Sequence, residues 1–302
     1  MTRTIIAGLD GSPSSVAAAD WAAREAQLRD LPLRLVNAWE WQLPAYAPSS
    51  GLAVPAPSSD LQRAAAQQLL SEARTRVTRL CPGLRVDADE IPGFPVPALL
   101  QVAAEAELLV LGSRGLSKVT GFLLGSVSLA VLTASERPVV VVRLAEQVER
   151  KQTEEDVAVR TTPREVVLGL GLHKPAGSVI EFAFDEASRR AVPLRVVYGW
   201  TLPPYYYGGA LMPELNDGMV TQVRRELSDV LRPWQGKYPA VELRPQAAVG
   251  GAGPHLVEAS RDAALVVVGR QIRRAAVGSH IGPVTQALLH HATAPVAVIA
   301  HA

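Results

Sequence analysis

The sequence predicts an α/β protein made of two tandem, doubly wound, five-stranded parallel sheets. Three observations predict this class: short β-branched segments alternate with alanine-rich ones, some of these segments are apolar on both faces, and the whole pattern occurs twice. Segments that are apolar throughout are typical of parallel strands covered by helices on both sides. The 302 residues, 48% of them hydrophobic, are enough for two domains with separate cores.

The first copy provides five candidate strands with helical segments between them. The alanine-rich stretches at 14–29 and 61–80 are predicted helices. The segments at 108–111 and 138–142 are apolar on both faces and are predicted to lie buried within the sheet. The complete set of predicted strands is 5–9, 33–39, 84–90, 108–111 and 138–143.

The second copy follows the first at nearly constant spacing. Residues 33–39 align with 194–200 at an offset of 161, as from Trp39 to Trp200. Residues 108–112 align with 265–269 at an offset of 157, so a four-residue deletion separates the two registers. A charged stretch poor in apolar residues lies between the copies and predicts a solvated linker. The predicted divisions are a first domain at 1–145, the linker at 146–163 and a second domain at 164–302.

Charge, cysteine content and hydropathy exclude several classes of function. The 30 basic and 29 acidic side chains leave no net field that would attract nucleic acid or a membrane surface. The single cysteine, Cys81, cannot form an internal disulfide, which fits a reducing compartment. Apolar runs such as 139–142 are too short to span a bilayer. We therefore expect a cytoplasmic protein that binds neither nucleic acid nor a membrane.

A glycine-rich motif follows the fourth predicted strand, where ligands of open parallel sheets bind. Gly112, Gly115 and Gly125 stand in the spacing G-x2-G-x9-G, and Ser126 follows at the start of a predicted helix. Gly112 and Gly115 would let a phosphate approach main-chain N–H groups and would permit positive φ. The helix start and the Ser126 hydroxyl would add further donors. The motif therefore predicts a phosphate site.

Two further candidate binding positions follow the first and second strands. Asp10 comes directly after the first strand, and Ala38 and Trp39 end the second. A carboxylate acceptor and an open backbone edge would suit a ribose or an adenine.

This combination of features resembles the ATP-binding branch of the universal stress protein family, over essentially all residues outside the linker. The resemblance implies a Rossmann-like fold of the adenine nucleotide alpha hydrolase type, with ATP and Mg²⁺ as ligands. It implies that Gly8 and Asp10 contact the nucleoside and that the main chain of Ala38 recognises adenine. The phosphates would be held by the remaining motif residues, namely Gly112, Ser113, Arg114, Gly115, Lys118, Gly125, Ser126 and Val127.

The resemblance also implies a stress-response regulator in which ATP occupancy controls conformation or the binding of an unidentified protein partner. No catalytic triad, carboxylate dyad or Cys–His pair emerges, so we expect no enzyme, although slow ATP hydrolysis is compatible with this role. The two halves are expected to form a pseudo-dimer through their closing strands, since unpaired edge strands invite pairing. A homodimer of the whole chain stays open.

The second copy has lost three positions of the motif. Gly171, Ile272 and Pro283 replace the aspartate, the second motif glycine and the motif serine. Ile272 disfavours positive φ, Pro283 removes an N–H from the helix start and Gly171 offers no carboxylate. We therefore expect no nucleotide there. Binding of another anion stays open, because this region holds Arg270, Arg273, Arg274 and His280. Basic clusters of this size are, however, more often solvated faces.

Two other classes of function are compatible with the sequence. A scaffold that binds proteins without nucleotide is one, because the second copy keeps the pattern without the motif. An ATP-activating enzyme of the pyrophosphatase type is the other, because residues 8–12 resemble a glycine-rich loop after the first strand. The stronger phosphate motif follows the fourth strand, which disfavours this enzyme. The adjacent His290 and His291 point about 100° apart on a helix and predict no metal site.

Overall fold

The computed structural model describes residues 3–39, 59–113, 124–144, 164–200, 213–272 and 281–302. The described residues up to 144 form one compact unit, and those from 164 onward form a second. The predicted linker at 146–163 lies outside the described residues. No helix in the described part of the chain is long and apolar enough to cross a membrane.

The first unit is an open five-stranded sheet in which every pair of strands is parallel. Its strands are β1 (Ile5–Gly8), β2 (Leu33–Trp39), β3 (Val86–Pro92), β4 (Leu108–Gly112) and β5 (Val139–Val142). Its helices are α1 (Pro13–Arg29), α2 (Ser59–Leu80), α3 (Pro95–Ala103) and α4 (Ser126–Ala134). The strand order is β3-β2-β1-β4-β5, so successive strands are added on one side of β1 up to β3 and on its other side from β4 onward. Doubly wound sheets bind ligands at such a switch point.

The second unit repeats this arrangement. Its strands are β6 (Val166–Gly169), β7 (Leu194–Trp200), β8 (Leu243–Val249), β9 (Leu265–Gln271) and β10 (Val296–His301). Its helices are α5 (Gly177–Arg190), α6 (Pro213–Lys237), α7 (Ala252–Ala259) and α8 (Pro283–His291). The parallel strand order β8-β7-β6-β9-β10 places the switch point between β6 and β9. The predicted α/β fold class is confirmed in both units.

The buried strands and the small residues of α1 explain why this sequence forms layers. All residues of β1 and β5 are buried, as are the first four of β4, as their apolar character on both faces predicts. Helix α1 contacts β1, β4 and β5. It can lie close to the sheet because its buried face is made of alanines that are at most 1% exposed, namely Ala18, Ala19, Ala22, Ala23 and Ala26.

The two copies end α1 and α5 in the same unusual backbone conformation. Asp30 follows α1 with φ of 53°, and Ala191 follows α5 with φ of 49°. Their N–H groups donate to carbonyl oxygens of the preceding helical turn, which closes each helix. The two copies differ in the length of their last two strands. Strands β9 and β10 extend to Gln271 and His301, past the positions that correspond to the ends of β4 and β5.

Candidate functional site

A cleft opens in the first unit at the carboxyl ends of β1, β2 and β4. The structure brings most of the predicted site residues together here, since the cleft is lined by Gly8, Asp10, Ala38, Gly112, Gly125, Ser126 and Val127. The remaining wall is largely apolar and consists of Leu9, Ser15, Val36, Pro95, Leu99, Leu111 and Ser128.

The other predicted phosphate-binding residues do not line this cleft in the described structure. Ser113 follows β4 and is buried, with its N–H donating to the carbonyl oxygen of Val142 at 2.9 Å. Arg114, Gly115 and Lys118 lie outside the described residues. The second glycine of the motif and its basic neighbours therefore stay predictions.

The turn that leads into α1 fixes the carboxylate of Asp10 at the cleft. Its Oδ1 accepts hydrogen bonds from the N–H of Ser12 at 3.0 Å and from the Ser12 hydroxyl at 2.6 Å. Ser12 is the N-cap of α1, and its Oγ accepts from the N–H of Ser15 at 3.2 Å. Gly11 lies between them with φ of 79°, a conformation that favours glycine. One hydrogen-bonded turn thus starts the helix and orients Asp10.

Asn37 is a positioning residue that the sequence interpretation missed. Its Nδ2 donates to the carbonyl oxygen of Leu9 at 2.7 Å, and the N–H of Leu9 donates to Val36 at 2.8 Å. These bonds tie the ends of β1 and β2 together, between Asp10 and Ala38. The available signal was an amide side chain between the apolar residues Val36 and Ala38, because a buried polar group needs a hydrogen-bond partner.

Gly112 is required by packing and does not adopt the positive φ that the motif permits, while its contact with a phosphate stays a prediction. A Cβ built on Gly112 would lie 2.6 Å from the carbonyl carbon of Ser14 and 2.7 Å from the nitrogen of Ser15. The φ of Gly112 is outside the left-handed region. Only glycine therefore lets the first turn of α1 contact the end of β4. Ser128 Oγ donates to the Gly112 carbonyl at 3.0 Å and joins α4 to the same point.

Helix α4 directs its N-terminus at the cleft, as the motif predicts. Gly125 is the N-cap, with φ of −59° and ψ of 144°, and no side chain caps this helix end within the described structure. Ser126 is exposed. The first-turn N–H groups lack partners within the helix, and the helix dipole adds partial positive charge. An anion such as a phosphate is the natural ligand for this end.

The second unit has a cleft at the equivalent place but lacks these features. Gly171 stands at the position of Asp10, and α8 begins at Pro283, which has no N–H. The N–H of Ile272 donates to the carbonyl oxygen of His301 at 2.7 Å, so this backbone extends the sheet. Arg270 was interpreted as part of a basic loop, but it lies within β9 and is buried. Arg273, Arg274 and His280 lie outside the described residues.

The described residues contain no group of three or more His, Cys, Asp or Glu side chains that could hold a metal ion. The rings of His290 and His291 are 6.3 Å apart between centroids and tilted by 52°.

Both units of the chain are similar to known proteins. Residues 1–143 and 163–300 match the model of the universal stress protein family. The chain is 30% identical over 313 residues to Universal stress protein Rv1996 of Mycobacterium tuberculosis (strain ATCC 25618 / H37Rv), covering 97% of this chain and 94% of the relative. The solved structure of a universal stress protein from Archaeoglobus fulgidus DSM 4304 superposes with a TM-score of 0.70 at 16% identity and covers 100% of both chains. A universal stress protein solved in complex with cAMP is 31% identical, with a TM-score of 0.35, and covers 47% of this chain and 96% of its own.

Proposed function

The chain belongs to the universal stress protein family, and from this premise we propose that it is a cytoplasmic stress-response regulator whose first unit binds ATP. In this proposal, ATP occupancy controls the conformation of the chain or its binding to a protein partner. The second unit binds no nucleotide. One observation carries the proposal: a single cleft at the sheet's switch point brings together Asp10, Ala38 and the N-terminus of α4.

The adenosine part of ATP fits the β1 and β2 side of the cleft. Ala38 is half-buried at the end of β2, where its backbone lies beside the cleft and its methyl group leaves space. Val36, Leu99 and Leu111 supply apolar surface for a purine ring. The Asp10 carboxylate is an acceptor for ribose hydroxyl groups, and Ser12 holds it in place.

The phosphates fit the α4 side of the cleft. The N-terminus of α4 offers backbone donors and partial positive charge, and the Ser126 hydroxyl adds another donor. Arg114 and Lys118 would neutralise part of the remaining phosphate charge. We propose that Mg²⁺ enters with the ATP, held by phosphate oxygens and water, because Asp10 is the only carboxylate among the described residues that line the cleft.

We propose a binding role rather than a rapid enzymatic one. Rapid hydrolysis needs a group that positions or deprotonates a water molecule beside the γ-phosphate. In the described part of the cleft the only ionisable side chain is Asp10, and Ser12 already bonds to its Oδ1. Slow turnover remains compatible with this arrangement.

Calorimetric titration with Mg-ATP and Mg-GTP tests the proposal. We expect saturable ATP binding, weaker GTP binding, and a loss of about tenfold or more in ATP affinity in Asp10→Ala, since a charge-assisted hydrogen bond is removed. Asp10→Asn is the matched variant, because its amide oxygen can still accept hydrogen bonds from Ser12. A comparison of the two variants therefore separates the effect of the lost charge from that of a disturbed turn. Absence of ATP binding by the wild-type chain would favour a nucleotide-free scaffold.

Hydrogen exchange of the full chain, measured with and without Mg-ATP, tests the regulatory part of the proposal. We expect ATP to slow exchange in the turn at 9–12 and at the start of α4, and to change exchange at a surface outside the cleft. Protection confined to the cleft would leave no conformational signal for a partner to recognise and would contradict the regulatory role.

A further inference from the structure

The cleft of the second unit is larger than that of the first, and α5 starts about one turn later in the repeat than α1. The repeat offset places the start of α1 opposite Lys174, but α5 begins at Gly177 with Ala176 as its N-cap. Pro175 disfavours the helical conformation at Lys174, so a helix is not expected to start at that residue. Between the described residues, the second cleft has a volume of about 270 Å³ and the first about 100 Å³.

Side chains occupy the base of the second cleft, where backbone fills the first. A Cβ built on Gly269 would lie 2.9 Å from His301 Nε2 and 3.2 Å from Val179 Cγ2. The corresponding glycine of the first unit meets the backbone of Ser14. His301 reaches this point because β10 extends to it.

The polar groups of the second cleft have the opposite charge character to those of the first. Lys174, Tyr198 and His301 line it, and no described carboxylate does, whereas Asp10 lines the first cleft. Lys174 forms no ion pair with another described residue. Burial, and secondarily Glu226, raises the pKa of Tyr198, so its hydroxyl stays a protonated donor near neutral pH. An ammonium, an imidazole and a phenol therefore share one cleft.

The remaining surface of the cleft selects for an apolar ligand body and against a polyphosphate. Its apolar lining consists of Leu170, Val179, Leu256, Val268 and Val284. Pro283 offers no N–H at the start of α8, and the Ile272 N–H is already bonded to the His301 carbonyl. The side-chain donors of this cleft suit one small anionic group. The cleft lacks, among its described residues, the row of backbone N–H donors that several phosphates would need.

We propose that this cleft binds a small organic carboxylate with an apolar body, its anionic end at Lys174 and His301 and its hydrocarbon part on the apolar lining. The proposal stands independently of ATP binding, because the two ligands occupy different clefts. It gives the second unit a ligand of its own in place of the nucleotide.

Titration of the full chain with octanoate tests the proposal, with octan-1-ol and octylammonium as probes of equal length and different charge. We expect one octanoate per chain, with the alcohol and the ammonium ion each bound at least about tenfold more weakly, since the ion pair with Lys174 is lost or reversed. Lys174→Met should weaken octanoate by a similar factor. Equal binding of octanoate and octan-1-ol would overturn the proposal.

Gly171→Asp provides the sharpest variant, because it returns the first unit's carboxylate to this cleft. No atom of the described residues lies within 4 Å of a Cβ built on Gly171, so the described part of the cleft can accommodate the side chain. Gly218→Asp is the matched control, because it adds the same charge at an exposed position of α6, where a Cβ likewise meets no described atom within 4 Å. We expect octanoate binding to be lost in the first variant and kept in the second. Equal octanoate affinity in both would place the ligand elsewhere and overturn the proposal.

Discussion

The backbone of Ser14 lies so close to Gly112 that a Cβ built on the glycine would be 2.6 Å from the serine's carbonyl carbon. The equivalent glycine of the second unit, Gly269, instead meets the end of the His301 side chain at 2.9 Å. The same repeat position thus packs against helix backbone in the first unit and against a side chain in the second.

Gly112→Ala should therefore be more destabilising than Gly269→Ala. Backbone cannot move away as a side chain can, so we expect the first substitution to cost about 2 kcal/mol or more, and the second clearly less. Calorimetric melting of both variants measures the difference. His301→Ala combined with Gly269→Ala should relieve the closest contact and leave that with Val179 Cγ2 at 3.2 Å. Equal losses in the two single variants would contradict this account.

Ser12→Ala should destabilise the first unit by about 1 kcal/mol, because it removes the N-cap of α1. The same change releases Asp10 from its hydroxyl partner, so ATP affinity should fall as well. Chemical denaturation and titration measure the two effects. His173→Ala is the control, since this position of the second unit caps no helix and α5 has no side-chain cap. A similar loss of stability in the control would mean that capping is not the cause.

Ser126→Pro should weaken ATP binding without destabilising the fold. Proline is tolerated at the first position of a helix, and Gly125 already has the extended conformation that a following proline requires. The substitution removes one N–H and one hydroxyl donor, so we expect about a tenfold or larger loss of affinity at unchanged melting temperature. Unchanged affinity would show that α4 does not hold the phosphates.

Ala191→Gly should stabilise the second unit by about 1 kcal/mol. Ala191 has φ of 49°, and a left-handed conformation strains a residue that carries a Cβ. Asp30→Gly should gain less, because aspartate tolerates this conformation better than alanine does. Guanidinium unfolding of the two variants gives the comparison. A larger gain for Asp30→Gly would contradict this ranking.

Cys81 should react slowly with thiol reagents in the folded chain. Its side chain is 1% exposed, and burial raises the pKa of the thiol above its ordinary value. A raised pKa lowers the thiolate fraction at any given pH, and the thiolate is the reactive form. We expect little reaction with an aromatic disulfide at pH 8 in the native protein and one equivalent after unfolding. Rapid native reaction would disprove the burial.

The duplication could be predicted because the same pattern of segments occurs twice at nearly constant spacing. The parallel sheets could be predicted because strands buried on both faces consist of continuous apolar residues, such as 139–142. The cleft could also be foreseen, since the order of strands fixes which loops meet. Asp10 follows β1, Ala38 lies in β2 and Ser126 begins α4, yet all three line one cleft.

The roles of individual residues were harder to predict because they depend on neighbours distant in sequence. Nothing local shows that Gly112 faces the backbone of Ser14, or that Arg270 is buried within β9. Nothing local shows either that His301 lines the same cleft as Lys174, which lies more than a hundred residues earlier in the chain.

The number of ATP molecules bound per chain tests the central claim most directly. Equilibrium dialysis with labelled Mg-ATP should give one site in the wild-type chain and none in Gly115→Ile. Ile272→Gly should still give one site, because the second unit also lacks the aspartate and the helix-start N–H. Two sites in the wild-type chain would contradict the assignment of ATP to the first unit alone, and no site would contradict ATP binding altogether.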